Sequence, residues 1–267
     1  MIQAKVKIVS NSQVTPGHFK MILDSLEISR EASPGQFIHV RVNEELDPLL
    51  RRPFSIHRAR DGSIEILCKV RGKATDILSG RKSGEFLDVI GPLGEGFPLP
   101  EISREDGMSC AILVAGGFGV APLVFLAERL RELKAKKPKI KIIALVGART
   151  KKHILCEKDL INLCDEVKIA TDDGSCGYKG LVTDLLKDLL ADVNCQSSVL
   201  YASGPNFMLQ EIKEIVKIFK ILSFGSLEEN IACGLGGCFG CVVKTIEGYK
   251  RVCKDGPVFN LKEIVWD

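Results

Sequence analysis

Four cysteines near the end of the chain are spaced Cys233-x4-Cys238-x2-Cys241-x11-Cys253. Three thiols within nine residues converge only if the loop wraps tightly round a centre, and Gly234, Gly236, Gly237 and Gly240 permit the close backbone approach that wrapping needs. A loop wrapped in this way also aims backbone N–H groups at the sulfurs, which stabilises a negatively charged centre. C-x4-C-x2-C with a remote fourth cysteine is the plant-type [2Fe–2S] arrangement. Structural zinc also takes four thiolates, but it pairs two short knuckles, whereas here one ligand stands alone after eleven residues. The spacing therefore predicts a [2Fe–2S] cluster on Cys233, Cys238, Cys241 and Cys253.

Other candidates for chemistry are glycine-rich or basic. Arg52-Pro53-Phe54-Ser55 opens a strand-like run; an arginine there suits bidentate grip of a pyrophosphate, and a serine suits a hydrogen bond to a flavin ring nitrogen. About twenty residues later, Gly72-Lys73-Ala74-Thr75 opens a helix-like segment, and helix N-termini bind phosphates through unpaired N–H groups. Gly116-Gly117-x-Gly119 follows a strand and precedes a helix, the context of nucleotide phosphate binding. Ser203-Gly204-Pro205 makes a second glycine-containing turn at a strand end. Arg149, Lys151 and Lys152 read either as a solvated turn or as a holder of a 2′-phosphate.

The elements that position these groups fall into three stretches. Up to residue 98 the chain reads as short strands (6–9, 36–42, 54–58, 64–70 and 86–90) separated by Gly, Pro, Asn and Asp, which predicts a barrel or a sandwich. Residues 99–224 alternate strands and helices: strands at 111–115, 140–146, 167–170 and 199–201, helices at 120–133, 181–190 and 205–219. Alternation of this kind predicts a parallel sheet with helices on both faces, binding ligands at the carboxyl ends of its strands. Residues 225–267 are too short and glycine-rich to bury much core, so they need a staple such as a metal centre.

The whole composition agrees. The 267 residues are 45% apolar and 27% charged, and 37 basic against 34 acidic side chains leave a net charge of +3. Nearly cancelling charge and the lack of a basic run interleaved with aromatics argue against nucleic acid. Residues 108–127 are uncharged over a membrane-span length, but Gly116, Gly117, Gly119 and Pro122 interrupt them as a strand, turn and helix start would. No apolar signal-peptide core follows MIQAKVKIVS, which predicts a cytoplasmic, reducing setting where clustered cysteines hold metal rather than pair as disulfides. Cys68, Cys110, Cys156, Cys164, Cys176 and Cys195 read as core or loop residues.

Taken together, RRPFS, GPLGEGF, VAGGFGVAPL, TDDGS…KGLVTDLL, ASGPNFML and ENIACGLGGCFGC…RVCKDGPVF resemble the iron–sulfur electron-transfer subunit of the two-subunit, NAD-dependent dihydroorotate dehydrogenases, within the ferredoxin-reductase superfamily. The resemblance covers nearly the whole chain. It implies an antiparallel FAD-binding β-barrel at 1–98, a parallel-sheet NAD-binding α/β domain at 99–224 and a [2Fe–2S] domain at 225–267. It implies FAD contacts from Arg52, Pro53, Phe54, Ser55, Lys69, Val70, Arg71, Ala74 and Thr75, with Gly116, Gly117, Gly119, Ser203 and Gly204 toward NAD(H). It further implies a partner subunit whose FMN oxidises dihydroorotate to orotate in pyrimidine biosynthesis, with electrons passing through the cluster to FAD and on to NAD. The assembly implied is a heterotetramer of two chains of each kind, and no side chain here acts as acid or base. Ser203 stands where the superfamily usually has cysteine, and Ala74 stands where glycine is expected. Two other readings compete: an NAD(P)H:ferredoxin or sulfide-type oxidoreductase subunit of the same superfamily, and a zinc-stapled interaction module with no enzymatic role.

Overall fold

A computed structural model describes residues 1–99, 110–136, 138–192 and 197–266. The chain divides into two compact units: residues 1–96, 229–243 and 249–257 form the first, and residues 97–228, 244–248 and 258–267 the second. The C-terminal forty residues are thus shared between the two.

The first unit is built on β1 (Ile2–Thr15), β2 (His18–Asp24), α1 (Leu26–Glu31), β3 (Phe37–Arg41), β4 (Arg52–Arg60), β5 (Ser63–Lys69), α2 (Lys73–Ser79) and β6 (Phe86–Leu93). The strands close into an antiparallel barrel in the order β1-β2-β5-β4-β3-β6, with β1 pairing back onto β6. β2 alternates buried and less buried residues, the period-two signature of a barrel wall, whereas β3 and β5 are buried along most of their length. Phe19, Met21 and Leu23 of β2 show it plainly, all buried. That strand and the short helix α1 were absent from the sequence-based expectation.

β4 changes neighbours along its length. Arg52 to Ser55 pair with β3 alone, whereas pairing with β5 begins at Ile56. Residues 52–55 therefore present one strand edge without a ladder partner, and Pro53, which has no N–H to give a ladder, fits such a place.

The second unit contains β7 (Cys110–Gly116), α3 (Val120–Lys136), β8 (Lys141–Ala148), α4 (Glu157–Leu163), β9 (Glu166–Thr171), β10 (Tyr178–Lys179), α5 (Val182–Asp192), β11 (Ser198–Ser203), α6 (Asn206–Phe219) and β12 (Leu222–Ser226). Near the C-terminus follow β13 (Val242–Thr245), β14 (Gly248–Arg251), α7 (Val252–Asp255) and β15 (Val258–Asn260). Among the described residues the sheet runs β10-β9-β8-β7-β11-β12-β15, parallel except for β15. Residues 112–115 of β7 and 142–146 of β8 are buried throughout, as a sheet covered on both faces requires. The chain winds from β7 out to β10 on one side and from β11 out to β15 on the other, so the order reverses between β7 and β11. Ligands bind such sheets at the carboxyl ends beside that reversal. β13 and β14 form a two-stranded hairpin. Among the described residues no helix is long and apolar enough to cross a membrane.

Candidate functional site

The four motif cysteines lie in the first unit. Cys241 and Cys253 are buried, Cys233 is half-buried and Cys238 is exposed. The four thiols are neighbours: Cys238 lies beside Cys233 and Cys241 beside Cys253, and Cys253 also feels Cys233. Backbone amides aim at the sulfurs: Leu235 N–H donates to Cys233 Sγ, Gly240 N–H to Cys238 Sγ and Cys253 N–H to Cys241 Sγ, each at 3.4 Å. The Leu235 amide is the main cause that brings the Cys233 thiol down to about 6, so it is largely thiolate at neutral pH. Burial, followed by the neighbouring Cys241, pushes the Cys253 thiol up to about 12. The donor set and the amides fit a cluster held by thiolates.

A brace that sequence reasoning missed holds this loop. Arg251 Nη1 donates to the Gly236 carbonyl at 3.1 Å, while Nε and Nη2 grip both oxygens of Asp255 at 2.9 and 3.1 Å. Its guanidinium also lies 5.1 Å from the ring centroid of Phe239. The pair brackets Cys253 at an i, i+4 spacing, a signal present in the sequence but common on any helix.

The flavin candidates lie in the same unit. Arg52, Pro53 and Ser55 are half-buried on the open edge of β4, and Phe54 is buried behind them. Arg52 Nη1 donates to the carbonyl of Leu50 at 2.7 Å, which holds the side chain back along its own strand entry. Lys69 and Arg71 are exposed and Val70 is half-buried, its amide donating to Gly17 at 2.8 Å. Ala74 is buried, while Thr75 caps α2 by accepting from the amides of Arg71 and Gly72 at 2.8 and 3.2 Å. An open strand edge beside three cationic side chains fits a planar ring joined to a pyrophosphate.

Also in the first unit, His39 of β3 is 1% exposed. Burial, despite the nearby peptides of Arg51 and Cys233, holds its ring down at about 4, so it is neutral at pH 7. No sequence pattern marks this residue.

In the second unit the two glycine turns meet. Ala115 pairs with Ser203 across β7 and β11, and Gly119 packs so tightly on that turn that an added Cβ would fall 2.1 Å from the Ser203 carbonyl oxygen. Ser203 is buried. A cavity of about 200 Å³ opens at this edge, lined by Gly116, Gly117, Arg149, Asp172, Phe207 and Met208 among others. Of the three basic residues after β8, only Arg149 lines it; Lys151 and Lys152 are exposed, with the Lys151 amide donating to Ser175 Oγ at 2.7 Å. Asp172 and Phe207 were not anticipated, because the sheet order that brings them here is not readable from local pattern.

Cys68, Cys110 and Cys164 are buried, and burial pushes the thiols of Cys68 and Cys164 up, the latter to about 12, which leaves them inert. Cys156 and Cys176 are half-buried, and Cys195 lies outside the described residues.

The chain is similar to known proteins over nearly its whole length. Residues 228–265 match the iron-sulfur cluster binding domain of dihydroorotate dehydrogenase B, and residues 113–214 match the oxidoreductase NAD-binding domain. The dihydroorotate dehydrogenase B (NAD(+)) electron transfer subunit of Desulforamulus reducens is 41% identical over 267 residues, covering 98% of this chain and 97% of that protein. Its counterpart in Bacillus cereus strain B4264 is 38% identical over 265 residues, covering 97% and 96%. Among solved structures, an NADH-dependent reduced ferredoxin-NADP oxidoreductase superposes with a TM-score of 0.83 at 30% identity, covering 99% of this chain and 91% of that one. A ferredoxin NADP+ reductase from Neisseria gonorrhoeae, with bound FAD and NADP, shares the fold at a TM-score of 0.67 and 16% identity, over 81% and 91% of the two chains.

Proposed function

The chain belongs to the family of dihydroorotate dehydrogenase B (NAD(+)) electron transfer subunits, and on that premise we propose that it moves electrons between a partner's FMN, where dihydroorotate is oxidised to orotate, and NAD. The observation that carries this reading is the tail loop: four neighbouring thiols, with backbone amides donating to the sulfurs of Cys233, Cys238 and Cys241. A zinc-stapled module would have no use for a flavin strand and a nicotinamide cavity on the same chain.

Flavin, when bound, supplies the conversion between the paired electrons of a hydride and the single electrons an iron–sulfur cluster takes. The rest is positioning. Cys233, Cys238, Cys241 and Cys253 hold the cluster, and the amides of Leu235, Gly240 and Cys253 stabilise its negative charge. Arg52 and Ser55 offer a charged fork and a hydroxyl on the open edge of β4, Pro53 and Phe54 wall it, and Lys69, Val70, Arg71, Ala74 and Thr75 form the neighbouring bank for FAD. Gly116, Gly117 and Gly119 bring backbone close to the dinucleotide, with Ser203 and Gly204 at the facing turn. Asp172 and Arg149 place one charge of each sign among the cavity residues. No side chain acts as acid or base.

The functional domains we assign are 1–98 for FAD, 99–224 for NAD and 225–267 for the cluster. The partner is an FMN-containing catalytic subunit, two of each chain forming a heterotetramer in the cytoplasm. Leu235 and Phe239, 49% and 62% exposed on the cluster loop, form the rim on which that partner docks. The 30% identical ferredoxin-NADP oxidoreductase favours a second reading, a ferredoxin-linked reductase, but full-length identity to the pyrimidine family is higher.

The ultraviolet–visible spectrum of the anaerobically purified chain tests the reading, with Cys238→Ser beside it. Flavin and iron–sulfur bands are expected in the wild type, and loss of iron with flavin retained in the variant. A colourless protein, or a variant with full iron content, would contradict it.

A further inference from the structure

The buried histidine of β3 has no part in the cofactor contacts above. His39 pairs across the barrel with Pro53 of the flavin strand on one side and with Ile90 of β6 on the other. Gly234, the residue after the first cluster cysteine, lies directly against its ring. A Cβ built on Gly234 would fall 2.5 Å from His39 Nδ1 and 3.1 Å from Cε1, and the positive φ of 72° at Gly234 adds a second reason for glycine there. The peptides of Arg51 and Cys233 both lie near the ring, one leading into the flavin strand and one carrying the first cluster ligand. Neither ring nitrogen has a hydrogen bond of ordinary geometry, although the residue is 1% exposed. Buried polar atoms without partners are uncommon, and an aliphatic side chain would fill the same space without that penalty.

We propose that His39 is a positioning residue for electron transfer, fixing the Cys233 end of the cluster loop against the strand that carries Arg52 to Ser55 through its ring N–H. In any protonation state the imidazole keeps at least one N–H, and the carbonyls of Cys233 and Arg51 are the acceptors within its reach. Hydrogen bonds in the shell around a metal centre orient the ligands and tune the centre, and their loss typically costs ten- to a hundredfold in affinity or activity. The inference rests on the family reading, since it presumes a cluster and a flavin on this chain.

The test uses the purified full chain with FAD and iron quantified, comparing wild type, His39→Leu and His39→Asn. Leucine removes the N–H at similar volume; asparagine restores a donor at about the position of Nδ1. Two readouts are taken: the electron paramagnetic resonance spectrum of the dithionite-reduced protein, and the stopped-flow rate at which NADH bleaches the iron–sulfur band. His39→Leu is expected to retain FAD, show shifted g values and bleach about tenfold more slowly, with His39→Asn recovering the wild-type spectrum and most of the rate. A wild-type spectrum and rate in His39→Leu would overturn the proposal, as would equal defects in both variants, which would mean that the ring only packs. If the leucine variant does not fold, the asparagine variant decides: a wild-type spectrum supports the role and a shifted one overturns it. A wild-type protein lacking cluster or flavin would count against the family reading instead, and the composition assay separates that case.

Discussion

At the scale of single residues, the four cysteines proposed as cluster ligands stand out because their spacing is local. Arg52 is the residue whose loss is most informative about the flavin. Its guanidinium is held by the Leu50 carbonyl at the open end of β4, and a charge-assisted bidentate contact to pyrophosphate is worth about 1.5–3 kcal/mol. Arg52→Ala should therefore lose FAD on dialysis, while Arg52→Lys keeps part of it because charge remains and the fork does not. Equal retention in wild type and alanine variant would remove Arg52 from the site. His39 and Arg251 were not legible in the sequence for a shared reason. Each acts through a partner, Gly234 or Gly236, that only the folded loop brings within reach. Asp172 escaped notice because it enters its cavity through the pairing of β8 with β9.

At the scale of elements, the five barrel strands read from the sequence are present, and β2 was missed although Phe19, Met21 and Leu23 alternate as clearly as any. The strand is bounded by Gly17 and a polar stretch, and its two lysine- and histidine-bearing positions dilute the β-branched signal. The alternation of strands and helices after residue 110 was legible because buried parallel strands are continuous apolar runs. The short strands of the tail were not, since β13, β14 and β15 are three or four residues long. Two element junctions give predictions. Gly119→Ala drives a methyl into the backbone of Ser203, an atom that cannot swing aside. A cost of about 1–3 kcal/mol is expected, with a raised KM for NADH and unchanged iron and flavin content. An unaltered KM and unaltered melting would show that the two turns have slack. The second junction ties β1 to β6. Burial raises the Asp88 carboxyl, but hydrogen bonds from the Arg51 guanidinium and Gln3 amide outweigh it and hold its pKa below the ordinary 3.8. A lowered carboxylate pKa stabilises above the unfolded value and loses that contribution as pH falls through the folded one. Asp88→Asn should thus cost at most about 1 kcal/mol at pH 7, the pair being partly solvated, and nothing once Asp88 is protonated in both states. Urea unfolding of both proteins at pH 7 and near pH 2 checks this; an undiminished difference at the acid end would contradict the ion-pair origin.

The molecule as a whole divides its labour between its two units. The first unit holds the thiolate loop and the candidate flavin strand, the second holds the NAD-binding fold, and the proposed reading puts dihydroorotate oxidation on the partner. The purified lone chain should then oxidise NADH with an artificial acceptor and leave dihydroorotate untouched. The measurement that bears most directly on this is dihydroorotate-dependent reduction of NAD, assayed for the lone chain, for the FMN-bearing partner alone and for the two mixed. Activity only in the mixture, abolished by Cys238→Ser while much of the NADH–acceptor reaction survives, is the predicted result. Dihydroorotate oxidation by the lone chain, shown free of partner by mass spectrometry, would contradict it.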